Sequence, residues 1–417
     1  MNLSRRDLLA RAGGLIAATA IGTVNARIPD LLAGDGPGGP LPAKGDFAIP
    51  EGQTYINSAF THPLPVFAAD AAIRYLDTRA LREERRRSGN DVATEVKAEF
   101  ARLINARPSE ISLVQNTSTG ENLVVNGLGI PTNDGNVVTD ALHFEGSLVL
   151  YGELQKRGLD VRVVQPREWR IVMSDMEQVV NRKTRLIAVS LVSWYNGFEH
   201  DLKAVCDLAH AHGAYVYADI IQAVGNTPID VRALGLDFCA CSTYKWLMGD
   251  FGIGFLYARE ELLDTVVKRT VFGYQQSDIA FHYLPTDPPG PSPISWQLKS
   301  DASAFFEVGT FSQSGIHALS QSLPYLNRIG AERIQMYRQP LLKRLQVELP
   351  RLGFTSLTPP ETKSALISFF RKDLKQQYGD RLQKAKVSVT LAEHRMRIAP
   401  SLFNDQRDID ALLNALS

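Results

Sequence analysis

Hydrophobic residues along most of this chain switch between two spacings, and this alternation restricts the fold more than any other feature. From about residue 66, stretches with the helical period, such as Leu202 to His212, alternate with short runs rich in β-branched residues. The runs that predict strands are residues 113–115, 137–139, 161–164, 186–191, 215–218, 238–241 and 253–257. Such alternation is typical of βαβ units. It predicts an α/β fold with a mainly parallel seven-stranded sheet flanked by helices.

The C-terminal part of the chain has a different order of elements. Residues 315–349 have helical periodicity, residues 366–370, 387–390 and 395–398 resemble strands, and residues 408–416 resemble a closing helix. We therefore expect two domains, a large one over residues 47–300 that includes an N-terminal arm, and a smaller α+β domain over residues 301–417. Residues 275–299 contain prolines 285, 288, 289, 291 and 293 without a clear period, which predicts a long loop at the substrate side.

The first residues have the features of an export signal. Ser4-Arg5-Arg6-Asp7-Leu8-Leu9 is a twin-arginine pattern, an apolar stretch over residues 13–24 follows, and a small-residue site ends at Ala26. The apolar stretch is too short to span a bilayer comfortably. We expect residues 1–26 to be a signal peptide, residues 27–46 a linker, and the folded protein to be periplasmic or secreted through the twin-arginine export machinery. An amphipathic first helix is the alternative.

Composition excludes some functions. Lys plus Arg and Asp plus Glu number 45 each, so no overall field favours binding to nucleic acid. The three cysteines, an odd number in a long chain, argue against a disulfide framework. No Gly-x-Gly-x-x-Gly follows the first strand of the predicted sheet, which argues against an NAD-type oxidoreductase.

Three polar groups follow predicted strands and together match the needs of one cofactor. Lys245 follows the run 238–241, where a lysine in a semi-buried pocket becomes a reactive amine, although a strand-edge lysine commonly reaches solvent. Asp219 follows the run 214–218, 26 residues before Lys245, and is either a partner for a protonated ring nitrogen or a helix N-cap. Thr117-Ser118-Thr119-Gly120 opens a helix whose amides and hydroxyls suit a phosphate. In this order they predict pyridoxal 5'-phosphate (PLP), held as a Schiff base on Lys245.

Four motifs carry a resemblance to a known family. They are Tyr55-Ile56-Asn57-Ser58-Ala59, Ser242-Thr243-Tyr244-Lys245-Trp246-Leu247, Phe306-Glu307-Val308-Gly309-Thr310 and the stretch from Met396-Arg397 to Phe403-Asn404. From about Tyr55 to Leu416 the chain resembles the class V aminotransferases, a family of fold-type I PLP enzymes. That family includes cysteine desulfurases, kynureninase and isopenicillin N epimerase.

The resemblance implies roles for individual residues. Lys245 would form the Schiff base, Asp219 would pair with the pyridine nitrogen, and Gln222 would lie near the phenolic oxygen. Phe144, or else His143, would stack on the pyridine ring. Arg397 would bind a substrate carboxylate, and Asn57 would be a second substrate-binding residue. The residues that would hold the phosphate are Thr117, Ser118, Thr119, Ser242 and Tyr244, with Thr310 reaching the phosphate of the neighbouring subunit in a homodimer.

Departures from the family's motifs bear on the reaction. Cysteine desulfurases use a nucleophilic cysteine in the small domain, whereas this chain has no cysteine after Cys241. The segment Ser193-Trp194-Tyr195-Asn196-Gly197 also differs from that of the desulfurases, in which Asn directly follows Ser. We expect an aminotransferase or an isopenicillin N epimerase-like enzyme acting on an amino acid or amine. A lyase performing C–S or other β/γ-elimination is the alternative, and a non-catalytic protein with this fold is a further one.

Overall fold

The computed structural model describes residues 41–81, 89–130, 135–282 and 294–417. The predicted signal peptide, residues 1–26, and most of the predicted linker lie outside these residues. All described residues fall within one compact unit. Among the helices that the structure describes, none combines the length and apolar character needed to cross a membrane.

A seven-stranded sheet, called the central sheet below, confirms the predicted mainly parallel sheet. Across the sheet the strands are Ile111–Val114, Gly254–Ala258, Phe238–Ser242, Tyr215–Asp219, Thr184–Ser190, Asn136–Asp140 and Asp160–Val164. The strand Gly254–Ala258 is antiparallel to both of its neighbours, and the other pairings are parallel. Because six strands therefore run in one direction, their carboxyl ends share one edge, where α/β proteins place their ligands.

Helices cover both faces of the central sheet. Nearly all residues of its inner strands are buried, as expected for a parallel sheet with helices on both sides. The described α-helices are Val66–Leu81, Gly89–Leu103, Thr117–Gly127, Glu145–Lys156, Met173–Val179, Leu202–Ala211, Val231–Leu234, Ala302–Phe306, Gln313–Ile329, Ala331–Arg351, Leu374–Lys384 and Gln406–Leu416. Short 3-10 helices are Lys44–Asp46, Pro108–Glu110, Glu260–Leu262 and Tyr274–Gln276.

A second, four-stranded antiparallel sheet lies in the C-terminal part. Its order is Thr355–Ser356, Ile367–Phe370, Arg395–Ile398 and Thr390–Leu391. A separate hydrophobic core beneath it includes Ile56 from the N-terminal arm. The arm strand Thr54–Tyr55 pairs in parallel with Val387–Ser388. The N-terminal arm is therefore anchored to the C-terminal part, which brings Asn57 next to Ala399.

One prediction of local structure was wrong. Residues 275–299 are not simply a loop, because Ser277–His282 and Ile294–Leu298 pair as an antiparallel hairpin. Backbone pairing supplies the hydrogen bonds that two short runs cannot make alone, and the prolines lie in the segment between them. The predicted helical periodicity over 315–349 is confirmed, with one break, because two helices cover this stretch and are separated at Gly330, which has a φ of +87°. The domain boundary at residue 300 stays a prediction.

Candidate active site

The carboxyl edge of the central sheet gathers the predicted cofactor residues. Asp140, Ser190, Asp219 and Ser242 are the last residues of four neighbouring parallel strands, and all four are buried. Ser190 pairs in register with Asp219, which in turn pairs with Ala240. Residues far apart in the chain thus meet at one edge because parallel strands end there together.

Lys245 lies three residues beyond the end of its strand and is 8% exposed. Within the described parts of the chain, its Nζ has neither a hydrogen bond nor an ion pair. Burial lowers the pKa of Lys245 to about 8, and the positive charge of Arg397 adds to the effect while Asp219 opposes it. The neutral, nucleophilic form of this amine is therefore a minority near neutral pH, but a far larger one than in an ordinary lysine.

Asp219 presents one carboxylate oxygen that lacks a partner. Its Oδ1 accepts a hydrogen bond from the Ile221 amide at 2.9 Å, whereas no described residue donates to Oδ2. Burial raises the pKa of Asp219, and the Ile221 amide, His143 and Lys245 counteract that rise. A buried carboxylate with one free oxygen is suited to hold a cationic N–H group.

The helix Thr117–Gly127 begins at the same edge with a well-defined cap. The Asn116 side chain accepts from the Thr119 amide at 2.8 Å and from the Thr119 hydroxyl at 3.1 Å. Thr117 Oγ1 lies 3.1 Å from Ser242 Oγ and accepts from the Ser242 amide at 2.9 Å. No described residue makes a hydrogen bond to the amide or hydroxyl of Ser118. Ser118 thus remains as a pair of donors at a helix N-terminus.

Gly120 allows this helix to start directly against the sheet. A Cβ atom at Gly120 would lie 2.8 Å from the Cβ of Ala240. Any other residue there would force the first helical turn away from the strand that leads to Ser242 and Lys245. The close approach therefore sets the position of the Ser118 donors relative to the lysine.

These three sets of unpartnered groups fit PLP. The amine of Lys245 suits the cofactor's aldehyde, the free oxygen of Asp219 suits a protonated pyridine nitrogen, and the donors of Ser118 suit the phosphate. Thr117, Thr119 and Ser242 make hydrogen bonds among themselves and with Asn116, so they shape this site as well as offering hydroxyls. The remaining predicted phosphate residue is Tyr244, whose ring stacks on Phe251 with centroids 4.4 Å apart.

His143 belongs to a buried polar network centred on Glu121. The Glu121 carboxylate accepts from Ser147 Oγ at 2.5 Å, from Tyr151 OH at 2.8 Å and contacts His143 Nε2 at 3.2 Å. His143 Nδ1 lies 2.8 Å from Ser190 Oγ. Burial lowers the pKa of His143, but the carboxylates of Glu121, Asp140 and Asp219 together outweigh burial and raise this pKa above its usual value. Both ring nitrogens of His143 are therefore already engaged.

Phe144, the other predicted stacking residue, caps the helix Glu145–Lys156 at its start. It is half-buried, and its ring meets the ring of Trp194 edge-on with centroids 6.1 Å apart. The absence of a side chain on Gly146 makes room for it, because a Cβ there would lie 2.7 Å from the Phe144 ring. Of the two candidates, only Phe144 has a ring without polar contacts to described residues.

Gln222 has both ends of its side-chain amide engaged by neighbouring elements. Nε2 donates to the Ala59 carbonyl at 3.0 Å, and Oε1 accepts from Trp246 Nε1 at 3.0 Å. Trp246 directly follows Lys245. Gln222 thus connects the N-terminal arm to the lysine segment, and its predicted contact with the cofactor's phenolic oxygen stays a prediction.

Arg397 and Asn57 are joined through Thr390. Arg397 Nη2 donates to Thr390 Oγ1 at 3.2 Å, and the Thr390 hydroxyl donates to Asn57 Oδ1 at 2.6 Å. Arg397 Nη1 donates to the Trp194 carbonyl at 2.8 Å, and the buried Nε has no partner among the described residues. Burial, followed by the charge of Arg395, lowers the pKa of Arg397 to about 10. The two residues predicted for the substrate site therefore lie together.

Thr310 is exposed, and its hydroxyl makes a hydrogen bond with the Tyr274 hydroxyl. No contact within the described chain joins Thr310 to Lys245, Asp219 or Ser118. Its predicted role in the site of a neighbouring subunit stays a prediction.

Sequence reasoning missed several residues of this site. Glu121 is buried on the side of its helix that also carries Val124 and Val125, and a carboxylate on an apolar helix face could have been noticed as needing partners. Arg395 precedes Arg397 by two residues on the same strand, a spacing that places both on one face of the sheet. No sequence pattern marks Trp194 as a site residue, since only the fold brings the turn Ser193–Gly197 to the strand Arg395–Ile398.

Comparisons with known proteins agree with this geometry. The profile of the family described as Aminotransferase class-V matches residues 55–406. A probable cysteine desulfurase of Methanothermobacter thermautotrophicus is 29% identical over 336 residues, 78% of this chain and 79% of that protein. The apo structure of a cysteine desulfurase from Thermococcus onnurineus NA1 has a TM-score of 0.79 and 25% identity, covering 91% of this chain and 98% of that one. A variant of C-DES with glycine covalently linked to the PLP cofactor has the same fold, with a TM-score of 0.77, 20% identity, and coverage of 89% and 98%.

Proposed function

This chain belongs to the class V aminotransferase family of fold-type I PLP enzymes, and from that premise we propose that it transaminates or epimerises an amino acid or amine. The observation that carries the proposal is the buried amine of Lys245, which has no described partner and a pKa lowered to about 8 beside Asp219 and Arg397. Such an amine can both bind an aldehyde and exchange a proton with substrate carbon.

The residues of the site divide this chemistry among them. PLP, when bound, supplies an electron sink that weakens the bonds at the carbon bearing the substrate's amine. Asp219 would hold the proton on the ring nitrogen, which would keep the sink effective. Lys245 would take the proton from that carbon of the bound substrate. Arg397 binds the substrate carboxylate and so orients the bond that Lys245 attacks.

The cysteines of the chain argue against the persulfide route of desulfurases. That route needs an accessible thiolate. Cys206, Cys239 and Cys241 are all buried, and burial raises the thiol pKa of Cys206 to about 12 and those of the other two further. No cysteine follows Cys241 in the sequence. The proposed reaction therefore uses no cysteine nucleophile.

Elimination from a sulfur-containing amino acid is the second candidate. It is favoured by the names of relatives such as the probable cysteine desulfurase of M. thermautotrophicus. Loss of a β-substituent requires a base at the substrate carbon, which Lys245 supplies, and no thiol nucleophile. This candidate therefore survives the argument from the cysteines.

One experiment tests the cofactor and separates the reactions. The purified protein is expected to show the visible absorbance of a PLP–lysine adduct, and borohydride reduction should label Lys245 in peptide mapping. A panel of amino acids is then added in deuterated buffer. A spectral change to the amino form of the cofactor with a keto acid product supports transamination, deuterium uptake with inversion supports epimerisation, and release of pyruvate with sulfide supports elimination. Protein that neither binds PLP nor becomes labelled at Lys245 would contradict the proposal.

We also propose that the protein is a homodimer in which each subunit completes the other's site. Support comes from Thr310, which lies in the family motif Phe306–Thr310 yet is exposed and makes no contact with Lys245, Asp219 or Ser118 within the described chain. Light scattering with size-exclusion chromatography checks the dimer, and a monomeric protein with full PLP affinity would contradict it.

Export by the twin-arginine route is a further proposal. Its support is the pattern Ser4-Arg5-Arg6-Asp7 with the apolar stretch and small-residue site that follow. Periplasmic fractionation of a bacterial host expressing the full chain should find the processed protein outside the cytoplasm. Replacing Arg5 and Arg6 by Lys should retain it inside, and unchanged export would exclude this route.

A further inference from the structure

Two arginines on one strand lie at the substrate side of the site. Arg395 and Arg397 belong to the strand Arg395–Ile398, and side chains two residues apart on a strand point to the same face, about 7 Å from one another. Arg397 Nη1 donates to the Trp194 carbonyl at 2.8 Å, and Arg395 Nη1 donates to the next carbonyl, that of Tyr195, at 2.6 Å. The two guanidinium groups thus contact the same turn side by side.

The charges of these arginines are not neutralised by the described protein. Arg397 is buried and Arg395 half-buried, yet no carboxylate among the described residues lies within ion-pair distance of either. Charged groups are seldom buried without a partner, because desolvation is costly. The nearby charge on Arg397 also contributes to the lowered pKa of Lys245. An anion is therefore the missing partner of this region.

Each guanidinium retains unused donors. Nη1 and Nη2 of Arg397 each carry a second N–H beyond the one hydrogen bond that each makes, and no described residue accepts from Nε or Nη2 of Arg395. A planar guanidinium with an open edge binds a carboxylate through two parallel hydrogen bonds. Two such groups suit two carboxylates.

Aromatic rings orient Arg395 and connect it to the cofactor site. Its guanidinium carbon lies 4.3 Å from the centroid of the Tyr195 ring and 5.3 Å from that of Trp194. Trp194 in turn meets Phe144 edge-on. Arg395 is thus held against the rings of Tyr195 and Trp194 rather than extending freely into solvent. Through Trp194 it is connected to Phe144, which was predicted to stack on the cofactor ring.

We propose that the substrate is an amino acid with an acidic side chain, such as aspartate or glutamate, whose α-carboxylate binds Arg397 and whose side-chain carboxylate binds Arg395. This inference rests on the proposed function and specifies its substrate class. Neutral amino acids of the same length would leave Arg395 without an anion. The site should therefore favour dicarboxylic over monocarboxylic ligands.

Binding of unreactive acids tests the inference without catalysis. Succinate and glutarate, compared with butyrate, are titrated into the PLP-loaded enzyme by calorimetry. We expect the dicarboxylates to bind about tenfold to a hundredfold more tightly, the range of a hydrogen-bonded charge pair. Arg395→Gln should remove this preference while leaving butyrate affinity within a few-fold of the starting value. Arg395→Lys, which keeps the charge but not the planar fork, should restore part of it.

A matched control separates binding from folding. Arg371 also stacks on two rings, those of Phe354 and Tyr378, and donates to a main-chain carbonyl, that of Leu352. Arg371→Gln should lower stability without changing the dicarboxylate preference. The ratio of kcat/KM for glutamate over glutamine should fall only in the Arg395 variants. PLP-loaded enzyme that binds butyrate and succinate equally would overturn the inference and leave the proposed function standing, whereas failure to bind PLP would overturn the proposed function.

Discussion

At the scale of single residues, the site depends on groups whose ordinary behaviour is changed by burial. Lys245 loses the solvation that stabilises its charge, and the adjacent Arg397 disfavours that charge further. Asp219 is buried as well, but an amide and two cationic side chains act against the rise in its pKa. Burial thus lowers the pKa of the amine, whereas it raises the pKa of the carboxylate against the opposing effect of its neighbours.

The pH dependence of cofactor binding follows from Lys245. Its pKa is lowered to about 8, so below that pH the amine is protonated and cannot attack an aldehyde. The rate at which protein freed of PLP by hydroxylamine recovers its visible absorbance should rise with pH to a plateau, with a midpoint near 8. Arg397→Gln removes a contribution that lowers the pKa, so the midpoint should move to higher pH. The control is the rate at which N-α-acetyllysine reacts with PLP as a function of pH. A midpoint for the protein equal to that of N-α-acetyllysine would refute the prediction.

Glu121 offers a test of the buried network. Its carboxylate accepts from Ser147 and Tyr151 and contacts His143, and an amide nitrogen in place of one oxygen would face donors instead. Glu121→Gln should lower the free energy of unfolding by about 3 kcal/mol, the cost of breaking a buried charged pair. Urea unfolding measures this free energy, and the control is Glu177→Gln, a substitution at an exposed glutamate. Equal stability of the two variants would show that the network contributes little.

At the scale of elements, the site depends on close approaches between segments. The turn Ser193–Gly197 lies against the residues that lead into the strand Ile367–Phe370, with the Ser368 hydroxyl donating to the Tyr195 carbonyl at 2.7 Å. This contact places the carbonyls of Trp194 and Tyr195 where both arginines reach them. The four-stranded sheet therefore positions the proposed carboxylate-binding groups through a turn that follows a strand of the central sheet.

Gly197 makes that approach possible. Its φ is +77°, and an added Cβ would overlap the Leu366 carbonyl and lie 2.7 Å from Ser364 Oγ. Gly213 has a similar φ of +76°, but a Cβ there would have no atom within 4 Å. Gly197→Ala should cost about 3 kcal/mol in unfolding free energy and weaken dicarboxylate binding, whereas Gly213→Ala should cost about 1 kcal/mol. Denaturant unfolding measures the loss of stability in the two variants, and calorimetry measures dicarboxylate binding. Similar losses of stability in both variants would mean that strain in φ alone is responsible.

At the scale of the whole molecule, one chain leaves several large apolar side chains exposed. Phe60, Phe251 and Phe272 are 61%, 59% and 72% exposed, and Phe251 stacks on Tyr244 next to Lys245. Exposed apolar surface beside a site commonly marks a contact with another protein. This agrees with the proposed homodimer, in which the partner would cover the rim of the site.

Subunit complementation tests shared sites. Thr310→Val should raise the dissociation constant for PLP about tenfold, the value of one hydrogen bond to a charged group. Co-expression of Thr310→Val with Lys245→Ala, carrying different tags, should yield hybrid dimers with one normal site, formed by Lys245 of one chain and Thr310 of the other. Thr265→Val, also at an exposed threonine, is the control and should keep full affinity. Hybrids without a tight PLP site would contradict the shared arrangement.

The sequence by itself determined the central sheet and the place of Ser118, Asp219 and Lys245 at its carboxyl edge. Strand periodicity predicted the sheet, and in a parallel sheet the residues that follow strands meet at one edge. The tertiary structure alone decided what those residues contact. The pairing of Ser277–His282 with Ile294–Leu298 and the contact of Arg395 with Trp194 join separate segments of the chain. Such contacts have no local pattern, since tertiary packing and not propensity sets them.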